Sequence, residues 1–330
     1  MKEVLNRLIN HETISKEEAR NVLMNISQGL YNQSQIASFL TVFMMRTITV
    51  DELAGFRDAL LELCIPLRLE GYNTIDLCGT GGDGKNTFNI STLSSFVTAA
   101  AGIQVTKHGN YGVSSISGSS NVLEFLGVKF SNDSDFLKRC LDHVGICVLH
   151  APLFHPAMKH VAPIRRELGV KTFFNMLGPM VNPAFPKNQL VGVFNLELAR
   201  LYGYLYQNSS KNYAILHALD GYDEISLTGA TKVISNHSET VLEPKDFGVA
   251  SINAADIFGG NSIKESAEIF TKVISGDGSE AQNNVVSANA GMAIATVKGL
   301  SASEGFDMAK EALLSGKAKE RLDKLVALSK

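Results

Sequence analysis

The stretch of this chain richest in chemistry is Asp76-Leu77-Cys78-Gly79-Thr80-Gly81-Gly82-Asp83-Gly84-Lys85-Asn86-Thr87-Phe88-Asn89-Ile90-Ser91-Thr92. An apolar run enters a loop in which Gly79, Gly81, Gly82 and Gly84 are broken only by Thr80 and Asp83, and a helix begins near Ser91 or Thr92. Glycines let backbone N–H groups turn inward and approach a ligand closely. A helix N-terminus adds unpaired donors and partial positive charge, which suits phosphate. Taken alone, the loop also reads as a tight strand-to-helix turn. Its spacing matches neither G-x-x-x-x-G-K-[ST] nor G-x-G-x-x-G, so ATPase and dinucleotide-binding readings lose support.

A second polar loop, Lys107-His108-Gly109-Asn110-Tyr111-Gly112-Val113-Ser114-Ser115, continues to Ser117-Gly118-Ser119-Ser120. It follows the next strand, at the edge where open α/β sheets bind ligands. Lys107 offers charge and the serines offer donors, a combination that fits a second phosphate group. A third stretch, Asp220-Gly221-Tyr222-Asp223-Glu224, follows a later strand. Adjacent carboxylates in that position hold Mg²⁺ bridged to substrate phosphates, because Mg²⁺ prefers hard oxygens and keeps several waters. Alone, such a pair reads as a solvated turn; beside two phosphate-type loops, the metal reading gains. Arg165-Arg166 offers guanidinium groups that pair bidentately with carboxylates, or form surface salt bridges. His143, His150, His155 and His160 are too unevenly spaced for a zinc set.

These residues need elements to position them. The first ~65 residues read as helices only; Pro66 ends the run and Arg68 to Asn73 read as a linker. Ser15-x-x-Glu18 and Thr49-x-x-Glu52 are capping boxes. Ala19, Val22, Leu23 and Ile26, then Ile36, Phe39, Leu40 and Phe43, then Leu53, Phe56, Leu60 and Leu63 lie on apolar stripes. From Thr74 the texture changes to strands alternating with helices. Strands are expected at 74–78, 103–106, 146–149, 189–194, 213–219 and 232–235. Helices are expected at 92–101, 121–126, 136–143, 284–297 and 303–314. Such alternation implies a central, mostly parallel sheet flanked by helices. The fold class is therefore α/β: a small all-helical N-terminal domain, 1–70, and a larger domain, 71–330. Residues 156–186 interrupt the alternation, with a helix at 156–168 that contains Pro163, and are expected to pack with the helical domain.

Composition narrows the classes. Of 330 residues, 45% are hydrophobic and 19% charged, and the formal net charge is −3. No basic surplus is available to neutralise a nucleic-acid backbone. No apolar run approaches the ~20 residues that span a bilayer. Met1 to Leu5 opens an amphipathic helix rather than a signal peptide, so the cytoplasm is the expected location. Cys64, Cys78, Cys140 and Cys147 form no C-x-x-C pair and read as buried thiols.

Together the four stretches resemble the anthranilate phosphoribosyltransferase family, along nearly the whole chain. The family's G-T-G-G-D and T-F-N-[IV]-S-T are matched by Gly79 to Asp83 and Thr87 to Thr92, and its K-H-G-N by Lys107 to Asn110. Its S-G-S is Ser117 to Ser119. Its H-P-x-M … V-R-[RK]-x-L-G … F-N-x-L-G-P … N-P-A run is His155 to Ala184, with Ile164 where Val is common. Its G-x-D-E-x-S turn is Gly221 to Ser226. Tyr111 stands where Arg is frequent and Ile116 where Lys is common, which lowers the charge of the second loop.

The resemblance implies transfer of the phosphoribosyl group of phosphoribosyl pyrophosphate to the amine of anthranilate, in tryptophan biosynthesis. It implies a phosphoribosyl pyrophosphate site of Gly79, Gly82, Asp83, Thr87, Asn89, Ile90, Ser91, Thr92, Lys107, His108, Gly109, Asn110, Tyr111, Gly112, Val113, Ser114, Ser115 and Ser119. Gly79, Asn110 and Arg165 would contact anthranilate, Arg165 meeting its carboxylate. Ser91, Asp223 and Glu224 would be Mg²⁺ ligands, for two ions per subunit. An active site between the domains and a homodimer formed through the helical domains are implied as well. An aromatic amine is already neutral near pH 7, in keeping with the lack of a Ser-His-Asp or Cys-His set, and no general base is assigned. The alternatives are a pyrimidine nucleoside phosphorylase-like enzyme and a non-catalytic relative that binds nucleic acid.

Overall fold

The computed structural model describes residues 1–112 and 116–330; Val113, Ser114 and Ser115, named above in the second loop, lie outside the described residues. The chain divides into two compact units, Met1–Leu67 with Pro152–Pro183, and Arg68–Ala151 with Ala184–Lys330.

The first unit is helical. It contains α1 (Lys2–Ile9), α2 (Lys16–Ser27), α3 (Gln33–Met45) and α4 (Val50–Leu63). The Ser15 and Thr49 hydroxyls accept the Glu18 and Glu52 N–H groups, and those glutamates reach back to the cap amides. Asn32 and Gln35 form a third reciprocal cap that opens α3. The apolar stripes converge on aromatic rings: Phe56 stacks on Phe173 at 4.3 Å between centroids, and Phe39 and Phe43 meet both edge-on. Glu52 is fully buried here. Its carboxylate accepts the Ile14 N–H at 3.0 Å and pairs with Arg46, whose side chain is nearly buried over the Phe43 ring.

The helix expected at 156–168 is instead two pieces, a 3₁₀ segment Pro156–His160 and the α-helix Ala162–Leu168. Pro163 explains the break. It has no N–H to donate, so it fits in the first turn of a helix but not inside one.

The second unit is built on a seven-stranded sheet. Its strands are β1 (Ile75–Gly79), β2 (Val105–Gly109), β3 (Ile146–His150), β4 (Asn188–Gly192), β5 (Asn212–Ala218), β6 (Thr231–Ser235) and β7 (Glu239–Leu242). The spatial order is β3-β2-β1-β4-β5-β6-β7. The first five strands are mutually parallel and β6 and β7 are antiparallel, so the sheet is mostly parallel, as strand-helix alternation implied. No helix separates β5 from β6, and a short connection can join only antiparallel neighbours. β7 was not expected; it is a four-residue edge strand whose exposed side chains leave no alternation to read.

Strand β2 also differs from its expected span of 103–106. Lys107 and His108 lie within it rather than in the loop beyond, because they pair in register with Val148 and Leu149 of β3. The glycine loop leads into α5 (Ile90–Ala100), and further helices Leu196–Tyr206, Ile263–Ile274, Glu280–Lys298, Ala302–Leu314 and Lys317–Leu328 cover the sheet. The helix Glu280–Lys298 is buried on all sides from Asn283 to Ala295. Among the described residues no helix is long and apolar enough to cross a membrane.

Removing Glu52 would leave the Arg46 guanidinium and the Ile14 and Thr49 amides without their shared acceptor. Glu52→Ala is expected to destabilise the protein by about 3–5 kcal/mol, the usual cost of breaking a buried ion pair from one side. Urea unfolding measures this; a loss within the ~1 kcal/mol of a surface pair would show that Glu52 is replaceable by water.

Candidate active site

The order of the strands reverses between β1 and β4, and open α/β sheets bind ligands at such a point, beyond the carboxyl ends of the strands. Here β1 and β4 run in register to their last residues, Gly79 beside Gly192. After β5 the chain turns through Asp220 to Glu224 and lays Asp223 back over that pair. A Cβ on Gly192 would coincide with the Asp223 carbonyl oxygen, and one on Gly79 with its carboxylate. The turn therefore needs bare backbone at both strand ends. Sequence reading selected Gly79 and missed Gly192. The signal was present: a glycine inside the strand expected at 189–194 marks a close approach of other backbone.

The glycine loop closes on the same carboxylate. The Gly81 N–H donates to Asp223 Oδ2 at 2.7 Å, and φ is 65° at Gly81 and 78° at Gly82, values that favour glycine. Asp83 Oδ1 accepts the Lys85 N–H at 2.9 Å. A brace that sequence reading missed supports the loop from outside. The Gly259 N–H donates to the Asn86 carbonyl, the Asn86 amide to the Gly260 carbonyl, and the Phe88 N–H to the Ile257 carbonyl, at 2.8, 2.9 and 3.1 Å.

Asn89 stands at the start of α5 without capping it; its amide donates to the Ser117 carbonyl at 3.1 Å and so ties the two loops together. Ile90 and Thr92 have buried side chains, so they offer a ligand only main-chain groups. The Ser91 main chain favours the charged form of the Glu224 carboxylate, and the Thr87 hydroxyl lies 3.5 Å from that carboxylate. The helix N-terminus that phosphate would seek thus already holds one carboxylate in its field.

Asp83, Asp223 and Glu224 crowd together. Burial, then the neighbouring Asp83 charge, raises the pKa of Asp223. Burial, then the charges of Asp223 and Asp83, pushes that of Glu224 well above the usual carboxylate range. Mutual repulsion of this kind is relieved by a cation. Among the described residues no group of three or more His, Cys, Asp or Glu side chains is arranged to hold a metal by itself. Two carboxylates beside a hydroxyl and a phosphate-type loop nevertheless fit Mg²⁺, which takes few protein ligands and completes its shell with water and phosphate oxygens.

Lys107 differs from its expected role as a free charge in a loop. It is fully buried, and its Nζ donates to the Leu77 carbonyl at 2.9 Å. Burial lowers its pKa, while the Asp76, Cys78 and Glu224 charges oppose that shift. His108 is buried too, and its N–H donates to Asp76 Oδ1 at 3.1 Å.

Gly109, Asn110, Tyr111 and Gly112 follow, and Ser119 opens the next helix with its hydroxyl donating to the Asn110 carbonyl at 3.3 Å. Asn121, also missed, closes this loop: its Oδ1 accepts the Gly112 and Gly118 N–H groups at 2.9 and 3.0 Å. Tyr111 is exposed and directs its hydroxyl to Glu124 at 3.2 Å, and Ile116 is exposed.

Arg165 belongs to the helical unit. Its guanidinium donates to Asn175 Oδ1 at 3.2 Å and lies over the Phe174 ring, and burial lowers its pKa; Arg166 beside it is exposed. A guanidinium held partly out of water by a ring and an amide is disposed to take a carboxylate.

Comparison with known proteins identifies the family of both domains. The model of the glycosyl transferase family's a/b domain matches residues 71–319, and that of its helical bundle domain matches residues 2–64. The chain is 73% identical over 329 residues to the anthranilate phosphoribosyltransferase of Flavobacterium psychrophilum, covering 100% of each. It is 51% identical over 330 residues to that of Bacteroides fragilis strain YCH46, again covering 100% of each. Among solved structures it is similar to anthranilate phosphoribosyltransferase from Thermus thermophilus, with TM-score 0.92, 33% identity and 99% of each chain covered. It is also similar to the Saccharomyces cerevisiae enzyme in complex with PRPP and Mg, with TM-score 0.90, 26% identity, and 99% of this chain and 97% of that one covered.

Because Gly192 seats the Asp223 peptide, Gly192→Ala should shift the turn and lower turnover by about 100-fold, the usual effect of a 1 Å misplacement. Gly203→Ala is the control: a Cβ there meets Ile234 at an ordinary 3.7 Å, so turnover should not change. Steady-state kinetics of both variants check this; wild-type turnover in Gly192→Ala would show that the turn has slack.

Proposed function

The chain belongs to the anthranilate phosphoribosyltransferases of the glycosyl transferase family, and on that premise we propose how its residues carry out the transfer. The amine nitrogen of anthranilate forms a bond to the anomeric carbon of phosphoribosyl pyrophosphate. The bond from that carbon to the pyrophosphate oxygen breaks, and the amine gives up one proton. The products are N-(5-phosphoribosyl)anthranilate and pyrophosphate, in a step of tryptophan biosynthesis. The observation that carries this reading is the seating of Asp223 on Gly79 and Gly192, which brings a carboxylate pair to a glycine loop and a helix start at one sheet edge.

The nucleophile is neutral near pH 7, so the demand on the protein is orientation and charge rather than a strong base. Gly79, Gly82 and Asp83, with Thr87, Asn89 and the main chain of Ile90 to Thr92, cradle the phosphates. The segment from Lys107 to Ser115 and Ser119 completes that site. The amide of Asn89 keeps the two loops at one spacing. Lys107, buried between Leu77 and the carboxylates, contributes positive potential without giving up its bond to the Leu77 carbonyl. Asp223, Glu224 and Ser91 would hold Mg²⁺, two ions per subunit, which supplies neutralisation of the departing pyrophosphate. We assign Arg165 to the anthranilate carboxylate, with Gly79 and Asn110 as further anthranilate contacts. We further infer a homodimer formed through the helical unit, located in the cytoplasm.

Anthranilate fluorescence should fall when phosphoribosyl pyrophosphate and Mg²⁺ are added to the protein; constant fluorescence would reject the reaction. Asp223→Asn with Glu224→Gln should reduce the rate by about a thousandfold, because charge neutralisation at a leaving group is worth several kcal/mol. Near-wild-type turnover at saturating Mg²⁺ would sink the metal assignment. Arg165→Ala should raise KM for anthranilate by roughly 10- to 100-fold, the value of a charged hydrogen bond, with little change for phosphoribosyl pyrophosphate. The same pattern from Arg166→Ala instead would put the carboxylate on the wrong arginine.

A further inference from the structure

Asn289 lies in the middle of the helix Glu280–Lys298 and is 2% exposed. Its side chain is directed at one residue of another element. Oδ1 accepts the Ile225 N–H at 3.0 Å, and Nδ2 donates to the Ile225 carbonyl at 2.9 Å as well as to Val285 of its own helix at 2.9 Å. A carboxamide that bonds both polar groups of one residue does what a neighbouring strand does in a ladder. Ile225 directly follows Glu224. On the other side of the carboxylate pair, the Tyr222 carbonyl accepts the Ala218 N–H at 3.0 Å. Asp223 and Glu224 therefore hang between two backbone pins.

The pins are needed for a physical reason. Asp223 is buried and its neighbour in the chain, Glu224, bears a like charge, so backbone free to move would let the two carboxylates part. The chain beyond is also under constraint: Leu227 has φ 58°, an uncommon conformation for a residue with a side chain, and its carbonyl accepts the Ile252 N–H at 3.1 Å. The same helix joins the other half of the site. Its Val286 carbonyl accepts the Ser94 hydroxyl of α5, one turn on from Ser91, at 3.3 Å.

We propose that Asn289 is a positioning residue, which holds the backbone of Ile225 so that Asp223 and Glu224 converge as ligands for a divalent cation. The proposal rests on the metal role assigned to that pair above. Asn289 touches neither substrate nor cation; it acts through the peptide that carries them.

The test titrates Mn²⁺ alone into the full-length enzyme, followed by electron paramagnetic resonance, beside kinetics in Mn²⁺ and thermal unfolding. Asn289→Ala should weaken Mn²⁺ binding by about 10- to 100-fold, as loss of outer partners of metal ligands does, and leave KM for anthranilate unchanged. Asn289→Ser keeps a polar group too short to make both bonds, and should fall between; it carries the test if Asn289→Ala does not fold. Asn283→Ala is the comparator, since it removes amide bonds from the same helix to the Gly276 and Gly278 carbonyls. It should melt earlier than wild type yet bind Mn²⁺ normally. Unchanged Mn²⁺ affinity in a folded Asn289 variant overturns the proposal, and so does an equal loss in Asn283→Ala. A wild-type enzyme that binds no Mn²⁺, alone or with phosphoribosyl pyrophosphate, instead removes the metal role of Asp223 and Glu224 on which the proposal stands.

Discussion

The α/β unit depends on a close approach of backbone to backbone. Two adjacent parallel strands end in register on glycine; the Asp223 peptide rests where a side chain on Gly192 would be, and its carboxylate where one on Gly79 would be. That contact determines where the carboxylate points, and the carboxylate in turn accepts the Gly81 N–H and so sets the glycine loop. The loop leads into α5, and on the way its Thr87 hydroxyl comes to 3.5 Å from the Glu224 carboxylate. Each step passes geometry on through a hydrogen bond or a steric limit, so the site has few independent adjustments. A rigid arrangement of this kind suits a reaction whose barrier is one of charge placement, since donors already in position need not reorganise as pyrophosphate departs.

Holding like charges together is the corresponding cost. Like charges close together in a poorly hydrated corner disfavour ionisation, and the rise of the Asp223 and Glu224 pKa values expresses that. Lys107 offsets part of it from below, with its ammonium committed to the Leu77 carbonyl. The remainder is resisted by the surrounding backbone. The brace at Ile257 to Gly260 and the Asn121 clamp on Gly112 and Gly118 each restrain one loop, and the Asn89 bridge ties the two loops together. Stability is spent here on pre-organisation, a usual property of binding sites.

The helical unit meets a different demand. Its core is aromatic, with rings of Phe39, Phe43, Phe56 and Phe173 packed edge to face or stacked. Glu52 serves at once as a helix cap, as the partner of Arg46 and as an acceptor for Ile14. Arg165 is held in a similar way, by Asn175 and the Phe174 face, with its donors aimed by groups that do not compete for its charge.

Local chemistry made much of this legible in advance. The reciprocal caps at Ser15 and Thr49, the apolar stripes of α2 to α4, the glycine loop between a strand and a helix, and Asp223-Glu224 just beyond a strand are all short-range patterns, because capping, helical periodicity and turn formation act over a few residues. Only the tertiary structure decided what those residues meet. Lys107 reads as a loop cation yet lies in β2, bonded to a strand thirty residues earlier. Gly192 reads as a glycine inside a strand, a sign of close approach that does not say the partner is Asp223. Asn289 reads as one more polar residue in a helix, and its partner Ile225 is sixty-four residues away. β7 and the antiparallel return of β6 follow from a short connection after β5. Such pairings are set by the order in which strands assemble and by which helix covers which strand ends. Both are properties of the whole sheet, and no run of neighbouring residues encodes them.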